Sequence, residues 1–300
     1  MRANITVCVA TYKRPAGLAR LLDSLANQEA GGPVYRIAVV DNDREGSGGG
    51  VVEKFRLSKD MEAAYEIEPE RGIAPARNRS VRLAGTDFVA FVDDDEVVCT
   101  RWLRELYECA LRNEADAVLG PVVPAFPAES PDWVVKGRFF ERPGHQNDAL
   151  VERGRTGNVL VKKKWLDLFA TPFDLRLGLR GDEDSDFFER IRSLGARFYW
   201  AEKAVVTEYV EKDRLSVRWV LKRAFRGGQG FACRHMPQGA PGRVWHYVCR
   251  GCLCLLSLAL TCVTLPFALH ISVGWLRRAF SNLGQISVIF PYRYEEYRNR

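Results

Sequence analysis

The stretch Phe88 to Val97, FVAFVDDDEV, carries five apolar residues straight into four acids. If the strand continues, alternate side chains share a face, so Asp93 and Asp95 point together while Asp94 points away. Convergent carboxylates repel each other unless a cation lies between them. Hard oxygen donors select Mg or Mn, and an ion held by few protein oxygens is usually completed by phosphates. A solvated acidic turn, or a cap for the segment starting near Thr100, is the competing reading. A second acid cluster lies in GDEDSDFFERIRSLG, which reads as a helix with acids in its first turn, Arg190 and Arg192 later, and Gly195 as its stop. On that stretch alone, plain helix-end complementarity accounts for the acids. In RWVLKRAFRGGQG, Arg223 and Arg226 fall three apart on one helical side. They can clamp a diphosphate or form a solvated or lipid-facing basic surface.

The elements that must position these residues alternate between β-branched runs and helical patterns through the first 120 residues, the signature of βαβ units and a mostly parallel sheet. The first strand is Ile5 to Ala10, and a helix follows Pro15 with Leu18, Leu21, Leu22 and Leu25 on one face. RIAVVDN, Arg36 to Asn42, reads as a buried strand that ends in Asp41 and is followed by a Gly-rich loop. AYEIEPERG supplies a third strand ending near Pro69, APARNRSVRLAG a helix closed by Gly85, and FVAFV a central fourth strand. In open α/β sheets ligands bind outside the carboxyl ends of the strands. Thr11, Asp41, Arg71 and Asp93 to Asp95 are all expected at that edge. Pro121 to Gly154, rich in Pro, Gly and aromatics, is expected to make a long excursion over the active face as a lid or acceptor loop, and GNVLVKKKWL returns to strand and then helix.

VATYKRP, VVDN, ERGIAPARN, FVDDDE and GDEDSDFFER, in this order and at these intervals, resemble the nucleotide-sugar glycosyltransferases of family 2, which have the GT-A fold. The resemblance covers about residues 4 to 230 and is greatest to the bacterial exopolysaccharide and succinoglycan-type glucosyltransferases. It implies that Thr11 and Tyr12 line the base and that Asp41 bonds uracil or ribose. It implies too that Arg71, Arg77 and Asn78 lie over the nucleotide and its phosphates, that Asp93 and Asp94 lie on the donor, and that Asp95, with Asp93, holds the metal. Sugar transfer also needs a base to take the proton of the attacking acceptor hydroxyl, opposite the departing diphosphate, a geometry that inverts the anomeric centre. The family's Glu-Asp pair matches Glu183 and Asp184, with Asp184 as the base. Because Asp182 lengthens the acidic run, a shift of one residue would give the role to Glu183. The spacing of Gln and Arg-Trp found in processive relatives is not matched, which favours transfer of single sugars.

Composition bounds the remaining classes. With 47% hydrophobic and 27% charged residues, the chain is too apolar for disorder. Residues 212 to 300 hold 14 Lys and Arg against three Asp and Glu, a net +11, which leaves −5 on residues 1 to 211. A basic, apolar C-terminal part suits an anionic membrane surface or a phosphorylated ligand. No nucleic-acid-binding motif supports nucleic acid as a partner. Eight scattered cysteines suit a reducing cytosol, and Cys249, Cys252 and Cys254 read as small hydrophobes in preference to zinc ligands. NITVCVATYKR is too short in its apolar run for a signal peptide.

From Gly251 to Leu276 there is no Asp, Glu, Lys or Arg, yet Pro266 and His270 interrupt the run and arginines flank it on both sides. A re-entrant or interfacial helical hairpin keeps both flanks in the cytosol, with a buried core helix as the alternative. The expected division is a catalytic domain over 1–211, a basic helical segment completing the site over 212–245, and a membrane-associated helical region over 246–300. The expectation is an inverting, metal-dependent transfer from a nucleotide sugar, best guessed as UDP-glucose, to a lipid-linked saccharide or similar acceptor at the cytoplasmic face of the inner membrane. A sugar nucleotidyltransferase and a catalytically silent membrane scaffold are the rivals.

Overall fold

The structure is a computed structural model that describes residues 4–59, 61–291 and 293–295. The last five residues of the expected membrane-associated region therefore lie outside the described residues. Two compact units are present. Of the described residues, the first contains 4–59, 61–125 and 142–209, and the second 126–141, 210–291 and 293–295.

The chain begins with β1 (Ile5–Thr11), α1 (Pro15–Ala26), β2 (Tyr35–Asp41), α2 (Gly49–Lys59), β3 (Ala63–Ile67) and α3 (Ile73–Leu83). It continues through β4 (Phe88–Phe91), β5 (Glu96–Val98), α4 (Trp102–Arg112), β6 (Ala117–Leu119), β7 (Val122–Ala125) and α5 (Asp132–Gly137). Next come β8 (Leu150–Val151), β9 (Val159–Lys162), α6 (Lys163–Leu166), α7 (Glu183–Ser193), β10 (Phe198–Trp200) and β11 (Val206–Tyr209). Three long helices follow: α8 (Val217–His235), α9 (Ala240–Thr264) and α10 (Leu269–Ile286).

In the first unit an eight-stranded sheet has the order β3-β2-β1-β4-β9-β6-β10-β8, and a small sheet has the order β5-β11-β7. β1 runs parallel to β2 and to β4, and β2 parallel to β3, so Thr11, Asp41, Ile67 and Phe91 end at one edge. β9 is antiparallel to β4, with Val159 opposite Phe91, which brings the preceding residues 156–158 to the same edge. The fully buried Ile5, Val7, Val9, Ile37 and Val39 pack under Leu18, Leu21, Leu22 and Leu25 of α1 on one face. On the other face Phe173, Phe187, Phe188 and Phe198 fill the space below α7. Continuous apolar strands are what a sheet covered on both faces requires.

Two expectations about the chain change. The glycine run after Asp41 is loop only in part: α2 starts inside it at Gly49, because Val52 and Phe55, three apart, bury against the sheet. The stretch from Pro121 to Gly154 is not one long loop. It contributes β7 and β8 to the sheets, and its middle supplies α5 to the core of the second unit, where Val134 and Phe140 pack with Val210 and Phe140 stacks on Trp219.

In the second unit α8 and α10 approach closely at glycines. A Cβ on Gly228 would lie 2.1 Å from the carbonyl oxygen of Ser281, and one on Gly284 would lie 2.0 Å from that of Phe225. Backbone cannot retreat as a flexible side chain can, so Gly228→Ala is expected to force the helices apart and cost about 1–3 kcal/mol. Chemical unfolding of the purified protein checks this. An unchanged midpoint would show that the helices do not meet there.

Candidate active site

Val92 to Asp95, between β4 and β5, are not strand, and Asp94 and Asp95 form a turn, so the alternation expected for Asp93 to Asp95 fails. Asp94 does not point away. Its Oδ2 accepts a 2.8 Å hydrogen bond from the Thr11 hydroxyl at the end of β1, and its Oδ1 lies 3.1 Å from the Arg14 guanidinium. Asp95 shares that guanidinium, also at 3.1 Å. Asp94 and Asp95 are both buried. Burial pushes the Asp94 carboxyl up to about 6 against the pull of Arg14, and its neighbour Asp95 adds to the rise. The turn fits here because Gly17, in the first turn of α1, has no side chain: a Cβ there would stand 2.5 Å from the carbonyl oxygen of Asp94.

Asp93 turns the other way. Its carboxylate is 3.1 Å from the Arg77 guanidinium of α3, and the same guanidinium contacts the buried carboxylate of Glu183 in the first turn of α7. One arginine therefore joins both acid clusters found in the sequence. Glu183 is 1% exposed and held by Arg77, whereas the next acid, Asp184, is only half-buried. Asp184 accepts from the amide of Thr156 at 3.4 Å and from the amide of Ser185 at 2.6 Å. The Ser185 amide belongs to the first turn of α7 and the Thr156 amide to the loop before β9.

The remaining expected site residues divide. Asp41 is fully buried and spends its oxygens on the amides of Asp43 and Gly48, at 2.9 and 2.7 Å, and on the Tyr65 hydroxyl at 2.9 Å. It shapes the loop after β2. Asn78 bonds Phe173 twice, donating to its carbonyl at 2.7 Å and accepting from its amide at 3.0 Å, and so ties α3 to the segment before α7. The carboxamide of Asn78 is thus held by the backbone of Phe173. Arg71 is exposed just before α3, in a loop that Asn42 holds by accepting from the Gly72 amide at 2.9 Å. Tyr12 is half-buried beside Thr11, with the Lys13 ammonium 5.5 Å from its ring centroid. Arg223 and Arg226 lie on α8 of the second unit, where the Arg223 guanidinium sits 5.0 Å from the Trp219 ring centroid.

Several residues at this edge carried no assignment in the sequence. Arg14 stood inside a quoted motif, but only the fold shows that the first strand delivers it to the acids of the fourth. Glu96 is fully buried, and its Oε2 accepts from the Asp93 amide at 2.8 Å, closing the turn. Burial, then Asp93, raises its pKa well above the usual carboxylate range. Gly157 keeps space open between Asp93, Glu96 and Arg142: a Cβ would lie 3.1 Å from both acids and 3.4 Å from the arginine. Asn158, at φ 82°, pins this loop by bonding Trp102, Pro121 and Ala204. Its positive φ, a conformation Asn adopts more readily than most residues, became visible only in the fold.

The comparisons with known proteins agree with this architecture. The edge where strands end in acids, together with the sheet order and flanking helices, is that of GT-A folds. The profile of Glycosyl transferase family 2 matches residues 6–167. The succinoglycan biosynthesis protein ExoM of Rhizobium meliloti is 36% identical over 227 residues, covering 75% of this chain and 73% of its own length. The mannosyltransferase PcManGT of Pyrobaculum calidifontis, solved with GDP-Man and Mn2+, aligns over 97% of this chain and 88% of its own with a TM-score of 0.66 at 17% identity. TarS 1–349 of S. aureus, solved with UDP-GlcNAc, aligns over 95% of this chain and 91% of its own, at a TM-score of 0.54 and 15% identity. The chain belongs to glycosyltransferase family 2.

Whether the acid turn suits a divalent ion such as the Mn2+ with which PcManGT was solved can be judged from its donors. Among the described residues, no group of three or more His, Cys, Asp or Glu is arranged as a metal centre. The carboxylates of Asp93 and Asp95 are nevertheless hard donors of the right kind for Mg or Mn. Their charge is met by Arg77 and Arg14, so an ion would compete with guanidinium for the same oxygens. It follows that Arg14→Met should lower the melting temperature without divalent metal and regain more of it than the parent on adding MnCl2. Differential scanning fluorimetry reads both, and an equal metal response in parent and variant would show that Arg14 and the ion do not share a site.

Proposed function

We propose that the protein transfers a single hexose, UDP-glucose being the preferred donor, to a lipid-linked saccharide at the cytoplasmic face of the inner membrane, with inversion at the anomeric carbon. The observation that supports this reading is the Arg77 bridge between Asp93 and Glu183, the residue next to the half-buried Asp184. The likeness to ExoM supports cell-surface polysaccharide as the product, and the neighbours solved with GDP-Man and with UDP-GlcNAc support a nucleotide-sugar donor.

In this reading Thr11 and Tyr12 border the base, and Arg71 approaches the phosphates. Asp95 and Asp93 would hold a divalent cation, which would supply positive charge for the diphosphate. Asp184 takes the proton of the acceptor hydroxyl as its oxygen attacks the anomeric carbon, and the nucleoside diphosphate leaves from the opposite face. Glu183 does not suit that role, because it is enclosed and its charge is met by Arg77. Glu183 holds Arg77 in place instead. The base role separates this reading from nucleotidyl transfer, which needs no base for a sugar hydroxyl.

Asp184→Asn is expected to lower kcat by about 10²–10⁴-fold, the usual worth of a general base. Binding of UDP-sugar by calorimetry should stay within a few-fold of the parent, because Asp184 is not a donor contact. Retained turnover in Asp184→Asn would remove it as the base. Asp95→Ala is expected to abolish metal-dependent UDP binding, and an unchanged calorimetric isotherm would refute its role. A screen of nucleotide sugars for release of free nucleotide, with a membrane lipid extract as acceptor source, names the donor. Labelled glycolipid with free UDP supports glycosyl transfer, whereas release of pyrophosphate from a sugar phosphate and UTP would support nucleotidyl transfer.

A further inference from the structure

The second unit carries a helical pair whose polarity is inside out. α9 and α10 are joined by residues 265–268 into a hairpin. The α9 residues that face inward are small or hydroxylic: Cys254 and Ser257 are buried, and Thr264 meets the buried Ser272 of α10 at 3.0 Å. The hydroxyls of Ser257, Thr261 and Thr264 also bond the carbonyls one turn back in their own helix. Outward, the large apolar residues stand free of protein: Leu255 is 69% exposed, Val263 63% and Phe267, at the tip, 84%. A water-facing helix pair would place these groups the other way round. Small residues inside and hydrocarbon outside is the arrangement of helices packed in lipid.

Charge fixes both the occupant and the depth. Among residues 251–276 none is charged, and arginines close both arms at the open end: Arg250 on α9, Arg277 and Arg278 on α10. The uncharged arm of α9, Gly251 to Thr264, is about 21 Å long at 1.5 Å per residue, and that of α10, Leu269 to Leu276, about 12 Å. A bilayer's hydrocarbon core is about 30 Å thick. Taken alone, α9 is long and apolar enough to cross, but its partner would then carry Arg277 and Arg278 deep into hydrocarbon. That placement is costly. Both arms reach their arginines on the same side, where anionic headgroups meet them.

We infer that the α9–α10 hairpin is a monotopic anchor that inserts tip first into one leaflet of an anionic phospholipid bilayer, with Arg277 and Arg278 as its depth stop at the headgroups. This deepens the membrane part of the proposed function and does not depend on the donor. The nucleotide-sugar screen can succeed while the anchor fails, and the reverse.

The chain's own cysteines test it. Cys262, near the tip, and Cys233, on α8, are both free and exposed. The full-length protein is mixed with vesicles of phosphatidylcholine and phosphatidylglycerol in equal parts, floated, and treated with a membrane-impermeant maleimide. The expected result is flotation with Cys262 protected and Cys233 labelled, at least tenfold weaker flotation for Phe267→Asp, and no labelling of Ala268→Cys by maleimide sealed inside the vesicles. Luminal labelling of Ala268→Cys would replace the one-leaflet anchor with a crossing. Equal flotation of Phe267→Asp would overturn insertion by the tip. Protection of Cys262 in a vesicle-free dimer that does not float would show a second copy covering the face. The circular dichroism of Phe267→Asp separates lost anchoring from lost folding, and if that variant misfolds, Leu255→Asp on the exposed flank takes its place with the same expected loss.

Discussion

Carboxylates gathered at one rim of a sheet must be given positive charge, and in this protein the Arg77 guanidinium does that for two clusters at once. It touches Asp93 after β4 and Glu183 at the start of α7, residues that lie far apart in the chain. Arg14 serves Asp94 and Asp95 in the same way. A buried acid without such a partner would give up its proton poorly and stay neutral. The rim can therefore keep its carboxylates ionised while remaining folded. The guanidinium geometry suits this, because a planar fork can address two carboxylates at once.

The same constraint explains the division of labour between adjacent acids. Glu183 faces inward to the arginine, and the helical turn that buries it carries Asp184 round to the rim, where backbone amides are its partners. One residue is enclosed by the architecture while its neighbour stays half-buried at the rim. Asp41 and Asn78 give their polar atoms to the loops that border the rim. Gly17 and Gly157 contribute by absence, since side chains there would press on the acid turn.

Much of this was legible in the sequence. The strands and the helix of Leu18, Leu21, Leu22 and Leu25 followed from apolar spacing, because burial on one or both faces leaves a period that local reading can detect. The ordered motifs led to the family and the GT-A fold. The acid turn misled, since alternation was carried through Asp95, four residues past the end of β4 at Phe91. Arg14 and Asn158 escaped because their partners Asp94 and Trp102 lie 80 and 56 residues away, which no local pattern encodes, and Glu96 because it closes a turn onto the Asp93 amide where continued strand was expected. The excursion after Pro121 hid α5 for a related reason: its few apolar residues make sense only against Val210 and Trp219.

The bridge itself is open to direct measurement by a double-mutant cycle on stability. Arg77→Met leaves the Glu183 charge buried without the arginine and is expected to cost about 3–5 kcal/mol in urea unfolding. Arg77→Met combined with Glu183→Gln should recover a substantial part of that loss. If Arg77→Met alone stays within about 0.5 kcal/mol of the parent, as a surface substitution would, the two acid clusters are not joined through this residue and the account of the site fails.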